Sequence, residues 1–388
     1  MLRLSCVYVT GRHLVRHRLL LALILGSFTM LGACRSGTPF TTDLTADSIS
    51  TSGFAGISAA LSDSGGYFDT DNLISNERSV LHAVSDLETR GIRGGVYLGV
   101  GPDQSFNYIA QIEPRLAIIM DIRRDNLLQH LMYKALFEAA GNRMEYLALW
   151  LGRPVPDSAN GSQSMSIDSL ISWARSASVS EGSVGHALSQ VRERVRSYGI
   201  ALSEEDMATI ERFHRAFIRD GMDLRFNSFG RAPQPYYPTL AELLSERDRS
   251  GKQVGYLASE RAFQVVKSLE RRNLVIPAVS DLSGSKGLPE LAALLRQMKD
   301  SISVIYTSNV EDYLIRDGKF PAFVEHLAAL PARDDAVIIR SWFGVGGTHP
   351  MGVPGYRSVQ LVEPISAMLG EKDIASVWSY RQLVMRIH

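Results

Sequence analysis

Cysteine is nearly missing from this chain: Cys6 and Cys34 are the two present in 388 residues, and both precede residue 35. Everything downstream therefore has neither an internal disulfide nor a cysteine-based metal site. An excess of one charge sign is missing as well, since 41 basic residues balance 41 acidic ones. Without a positive field to draw nucleic acid, nucleic acid is not an expected partner. Several reaction signatures are also absent: the His-Glu-x-x-His zinc helix, the Gly-x-Ser-x-Gly elbow and the phosphate loop ending in Gly-Lys-Ser/Thr. The nine histidines are scattered, so metal catalysis has no warrant. No internal repeat or heptad run is evident, which sets aside solenoid and coiled-coil architectures. What remains is 45% hydrophobic and 21% charged, the composition of an ordinary folded protein.

The first 34 residues lack acidic side chains altogether. Arg3, Arg12, Arg16 and Arg18 precede an apolar-to-small run from Leu19 to Ala33. That is a secretory leader pattern, too short to span a hydrocarbon core comfortably. Leu31-Gly32-Ala33-Cys34 resembles the bacterial lipobox, which implies cleavage before Cys34, lipidation of its sulfur and a membrane anchor through the acyl chains. Arg35 stands where a retention aspartate would otherwise be, so the expected location is the cell envelope, at the outer membrane facing the periplasm. Residues 35–64 are dominated by Ser, Thr, Gly and Asp and read as a flexible tether.

From residue 65 to 388 the pattern alternates between strand and helix. Gly95–Val100, Leu116–Met120, Leu274–Val279, Ile302–Tyr306 and Ala336–Arg340 are short, nearly all-apolar runs, as expected of parallel strands covered on both faces. Helical stripes cover 74–89, 121–151, 289–299 and 320–330, and Val359–Val362 reads as an antiparallel edge strand. Residues 152–272 are mainly helical and far longer than an ordinary connection, so they are expected to form a helical insertion. The fold class is α/β, with a doubly wound, mostly parallel Rossmann-like sheet.

Gly99-Val100-Gly101-Pro102-Asp103 lies where the first strand ends and a helix begins, the place where ligands meet backbone amides in such sheets. Asp121 comes 20 residues after Gly101, at the end of the second strand, the offset at which an acidic side chain accepts ribose hydroxyls. An N-cap role accounts equally well for Asp121. With these features in order, the chain resembles the class I S-adenosylmethionine-dependent methyltransferase superfamily over about 72–143 and 274–362. The resemblance implies an S-adenosylmethionine cofactor, the glycine turn of Gly99 and Gly101 against its methionine half and Asp121 on its ribose. The pattern departs at Tyr97, where an acidic residue is usual, and at Asp103, where a third glycine is usual. Asp103 is then a candidate for the methionine ammonium. The stretches 68–77, 121–126 and 306–311 are also similar to an uncharacterised bacterial methyltransferase-like family.

Ser308 and Asn309 come just after the fourth strand, where related enzymes place substrate-facing groups; helix capping explains the same residues. His349, in the glycine-rich loop after the fifth strand, is a candidate proton acceptor. Arg123, Arg124, His130 and Lys134 read either as groups facing an anionic ligand or as a solvated helix face. The polar run from Asp69 to Glu77 could fold over a ligand or form Asx turns and caps.

Two functions are compatible with these features. One is methyl transfer from S-adenosylmethionine to an unspecified acceptor under the helical insertion, with Ser308, Asn309 and His349 as catalytic candidates. The other keeps the fold without the reaction: an envelope lipoprotein that binds a nucleotide-like small molecule or serves as a scaffold. The exported location favours the second, because S-adenosylmethionine is made in the cytoplasm.

Overall fold

Short runs of apolar residues, buried on every side, form the centre of the molecule. The computed structural model describes residues 47–70, 72–230, 232, 234–344 and 348–387. The expected leader, Cys34 and the first part of the expected tether lie outside the described residues. Six strands form one sheet: β1 (Val96–Gly99), β2 (Leu116–Asp121), β3 (Val275–Val279), β4 (Ile302–Ser308), β5 (Ala332–Trp342) and β6 (Val359–Pro364). Their order is β3-β2-β1-β4-β5-β6. The first five run parallel, and β6 pairs antiparallel with β5, Val337 opposite Pro364 and Trp342 opposite Val359. β1 and β3 are buried along their whole length. The fold is thus a mixed α/β arrangement of Rossmann-like kind, and the chain reverses its direction of travel across the sheet between β1 and β4, which leaves a crevice beyond the strands' carboxyl ends.

The described chain begins with a helix, contrary to the expected tether. α1 (Thr51–Leu61) is capped by Ser50, whose hydroxyl accepts from Gly53 N at 3.1 Å. Phe54, Ile57 and Leu61 recur at i, i+3 and i+7 and are fully buried, each worth about 1.5–3 kcal/mol of apolar burial. That is enough to order a segment otherwise rich in Ser, Thr and Gly. α2 (His82–Thr89) comes after a short 3-10 turn at Arg78–Leu81, and α3 (Ser105–Ile112) connects β1 to β2.

Between β2 and β3 the chain makes α4 (Arg124–Ala139), α5 (Arg143–Trp150), α6 (Ile167–Ser176), α7 (Glu181–Ser197), α8 (Glu204–Asp220), α9 (Leu240–Ser245) and α10 (Glu260–Arg271). The single helix expected over 121–151 is two, because Ala140 leaves helical geometry and Asn142 starts afresh, its side chain accepting from Glu145 N at 3.0 Å. α4 packs on β2 and β3. An aromatic cluster joins α3, α4, α5, α8 and α10: Phe106 to Phe137 at 5.2 Å, Trp150 to Phe217 at 4.8 Å and Phe137 stacked on Phe263 at 5.4 Å. The remaining helices are α11 (Gly287–Met298), α12 (Val310–Arg316), α13 (Phe320–Ala329), α14 (Ile365–Gly370) and α15 (Tyr380–Val384). Among the described residues no helix is long and apolar enough to cross a membrane.

Candidate functional site

A cleft of about 250 Å³ opens at the carboxyl ends of β1, β2, β3 and β4, near the lower end of sites that take small organic ligands. Gly101, Asp121, Ser308 and Asn309 all line it. Gly101 adopts φ +79°, a conformation that costs little without a Cβ. Its N–H donates to Asp121 Oδ2 at 3.2 Å, and its carbonyl accepts from His130 Nε2 at 2.9 Å. The glycine turn is therefore pinned from β2 on one side and α4 on the other.

Asp121 is committed more fully than a ribose clamp requires. Oδ1 accepts from Arg123 N at 2.9 Å and Arg123 Nε at 3.0 Å; Oδ2 accepts from Arg123 Nη2 at 2.8 Å and from Gly101 N. A carboxylate offers about four acceptor positions, and here all are taken. The helix-cap reading does not hold, because Arg123 is the N-cap of α4 and no side chain caps that helix; the carboxylate lines the cleft and organises its own turn through Arg123 N. Arg123, Arg124, His130 and Lys134 divide accordingly. Arg123, His130 and Lys134 are buried rather than solvated, and Arg124 reaches Asp206 on α8 at 2.7 Å.

Three sequence candidates lie elsewhere. Gly99 does not line the cleft; a Cβ there would come within 2.5 Å of Tyr97 Oη, so its glycine makes room for the tyrosine ring. Asp103 faces a separate small cavity, where its Oδ2 accepts from Tyr256 OH at 3.1 Å. Burial pushes its carboxyl up to about 6, and it does not reach the main cleft. His349 is buried away from the cleft, with Nε2 at 3.2 Å from Val384 O and Nδ1 accepting from Met351 N at 3.1 Å. Both ring nitrogens hold the chain terminus and its neighbouring loop, so the expected proton acceptor is a structural residue.

Ser308 and Asn309 do reach the cleft. Ser308 has φ +51°, an uncommon conformation for a residue with a side chain and one that clusters at functional sites. Its hydroxyl donates to Glu77. Glu77 is buried and lines the cleft; it also accepts from Tyr306 OH at 2.9 Å, from Gln360 Nε2 at 2.8 Å and from the Ser341 hydroxyl. Sequence reasoning placed Glu77 in a polar run but not at the hub of this network, because its partners are 229 to 283 residues away. The run itself forms the turns expected of it, and several of its residues, with Phe68 just before it, border the cleft. Thr70 Oγ1 accepts from Asn72 N at 2.9 Å and Ser75 Oγ from Glu77 N at 3.0 Å, as turn-forming groups do, while Phe68, Thr70 and Ser75 line the cleft. The lining also includes Phe226 and Tyr237, from the long connection between β2 and β3, and Tyr313 from α12. Phe68 meets Tyr313 edge-on at 5.1 Å. Gln104 also borders the cleft; its Oε1 is buried with no hydrogen-bond partner.

Compared with known proteins, residues 73–161 and 187–380 match the model of a family described as a domain of unknown function, DUF7790. The chain belongs to that family. The match takes in every strand of the sheet and most of the cleft, and its gap falls on α6 and the start of α7. No curated protein matches the chain. DUF7790 thus has a crevice, a glycine turn and a buried carboxylate in this member, and the reading of their purpose rests on the geometry.

Proposed function

We propose that the carboxyl-edge cleft binds a small nucleotide-like ligand, with S-adenosylmethionine as the first candidate, and that the domain is methyltransferase-like and doubly wound. The observation that carries this reading is the convergence of Gly101, Asp121, Ser308 and Asn309 on one open cleft beside the point where strand order reverses. The residues fit such a ligand in one specific respect: Gln104 Oε1 is a buried acceptor still lacking a donor, the kind of group a ligand N–H or O–H satisfies. When bound, the cofactor would supply an activated methyl group. Gly101 would give it close backbone approach, Asp121 would take its ribose once Arg123 withdraws, and Ser308 and Asn309 would orient the acceptor. Exclusion of water by the Phe68, Phe226 and Tyr237 walls would serve alignment.

A second reading, a non-catalytic ligand-binding or scaffold lipoprotein of the envelope, is favoured by one observation. Asp121 is saturated by Arg123 and Gly101, so any ribose must displace an internal ion pair. Calorimetric titration of the chain with S-adenosylmethionine and S-adenosylhomocysteine separates the two. Micromolar binding that is lost in Asp121→Ala supports the cofactor reading; folded protein that binds neither moves the assignment to the scaffold. The envelope location is tested separately by mass spectrometry of the mature N-terminus, where an acylated Cys34 is expected.

A further inference from the structure

Taking the cleft as a ligand site, as proposed above, the charge around it narrows the class of ligand. Five carboxylates line it, from Asp69, Glu77, Asp121, Asp281 and Asp317, against two cations, Arg123 and Lys319. Both cations are engaged: Arg123 with Asp121 at 2.8 Å and Lys319 with Asp281 at 3.0 Å. An anionic ligand would have to break one of these pairs before it met a positive charge.

Glu77 is the one of the five that is buried. It is 2% exposed, and among the described residues it takes part in no ion pair. Four neutral donors, from Tyr306, Ser308, Ser341 and Gln360, converge on its two oxygens. That is the pattern of an acceptor-only carboxylate. Buried charges are ordinarily paired or bound to a cation, because removing them from water is costly. Glu77 has the hydrogen bonds but lacks the cation, and it lines the floor of an open cleft.

The walls are suited to the same kind of guest. Phe68 and Tyr313 each already hold an arginine over a ring face, Arg123 at 6.0 Å and Arg316 at 4.4 Å, and aromatic rings attract cations through their quadrupoles. Gln104 borders this cleft and the smaller cavity beside it, and its Oε1 is buried without a partner, an acceptor of the same sign. A carboxylate, an unsatisfied carbonyl and ring faces thus bound one small volume.

We infer that the cleft selects ligands bearing a positive charge, a sulfonium, quaternary ammonium or ammonium group, seated against Glu77 beneath the Phe68 and Tyr313 rings. S-Adenosylmethionine meets this requirement through its sulfonium; its demethylated product, a neutral thioether, lacks that charge.

The test is a set of matched titrations of the full chain by calorimetry: S-adenosylmethionine against S-adenosylhomocysteine, choline against 3,3-dimethylbutanol, and adenosine monophosphate as an anionic comparison. The charged member of a pair that binds is expected to bind roughly tenfold to a hundredfold more tightly. In Glu77→Gln, with cooperative thermal unfolding as the check on folding, that ratio is expected to fall toward unity. Should the variant not fold, the wild-type ratios decide alone. Equal affinity within the pairs, or tighter binding of adenosine monophosphate than of the cations, overturns the charge preference and leaves the ligand site standing. Absence of binding by all five compounds removes the ligand site and the preference with it.

Discussion

Arg123 and Asp121 close a two-residue ring in which Nε meets Oδ1 at 3.0 Å and Nη2 meets Oδ2 at 2.8 Å, both side chains being largely shielded from water. The pair fixes where the second strand ends and how the glycine turn lies on it. Removing either partner strands the other in a poorly solvated place. A double-mutant cycle with Arg123→Met and Asp121→Asn, read by urea unfolding, is expected to show coupling of about 1–3 kcal/mol. Additive effects would mean the two side chains do not depend on one another.

His349 gives the opposite kind of expectation. Its ring joins Val384 O and Met351 N and has no place in the cleft. His349→Ala should cost about 1–3 kcal/mol in unfolding free energy, by leaving buried backbone groups unpaired. Affinity for any cleft ligand should be unchanged in calorimetry; a large loss of affinity in folded protein would restore His349 to the site.

Stability should also respond to pH with two opposing signs. His130 and His214 each use Nε2 on a backbone carbonyl, Gly101 and Leu149 at 2.9 Å, and each keeps Nδ1 buried without a partner. Burial pushes both rings down from 6.5 to about 4. Because the folded values lie below the unfolded ones, stability is lost as pH falls from about 6.5 through about 4, on the order of 3 kcal/mol for each ring. Urea midpoints of His214→Gln should therefore vary less between pH 7 and pH 4 than those of the native chain. Glu270 acts in reverse: burial, with Glu138 adding and Lys134 opposing, raises its carboxyl from 4.5 to about 8. The folded state keeps a proton that the unfolded chain releases, so stability declines as pH rises from about 4.5 to about 8. Glu270→Gln should be more stable than the native chain at pH 8, and the gain should shrink toward pH 5.

The parallel strands could be read in advance because each is a short apolar block bounded by polar or glycine residues, and burial on both faces demands that. Asp121 and Ser308 could be placed for the same reason, since the residue that ends a parallel strand is carried to the carboxyl edge of the sheet. α1 could not. Its three core residues sit among Ser, Thr, Gly and Ala, and their spacing matters only once β3 and α11 offer a surface to cover. The roles of Glu77 and Arg123, though not the residues themselves, escaped for a related reason. A lone Glu before a helix, or an Arg after a strand, takes its meaning from tertiary partners, and here those partners are hydroxyls of β4 and β5 and the carboxylate of β2. His349 misled because a glycine-rich loop after a strand suggests a binding rim, whereas its ring turns back to the last helix.

Phe54 supplies the most direct check on the start of the domain. Its side chain is fully buried, with the Lys134 ammonium 5.2 Å from the ring centre and Tyr198 6.2 Å away. Phe54→Ala should cost about 3–5 kcal/mol, measured by thermal or urea unfolding. A cost near zero would return this segment to a tether.

β3 stands at the margin of the sheet with Pro277 in its middle, and α1 together with the run after it occupies the backbone groups left over there. Ser58 Oγ donates to Pro277 O at 2.6 Å, Val279 N donates to Ser62 Oγ at 3.0 Å, and Asp63 N donates to Val279 O at 2.8 Å. An unoccupied margin of this kind would invite another molecule to add its own strand. Proteolytic trimming as far as residue 66 would therefore turn a capped border into an adhesive one, and intermolecular aggregation would be the first sign of the damage.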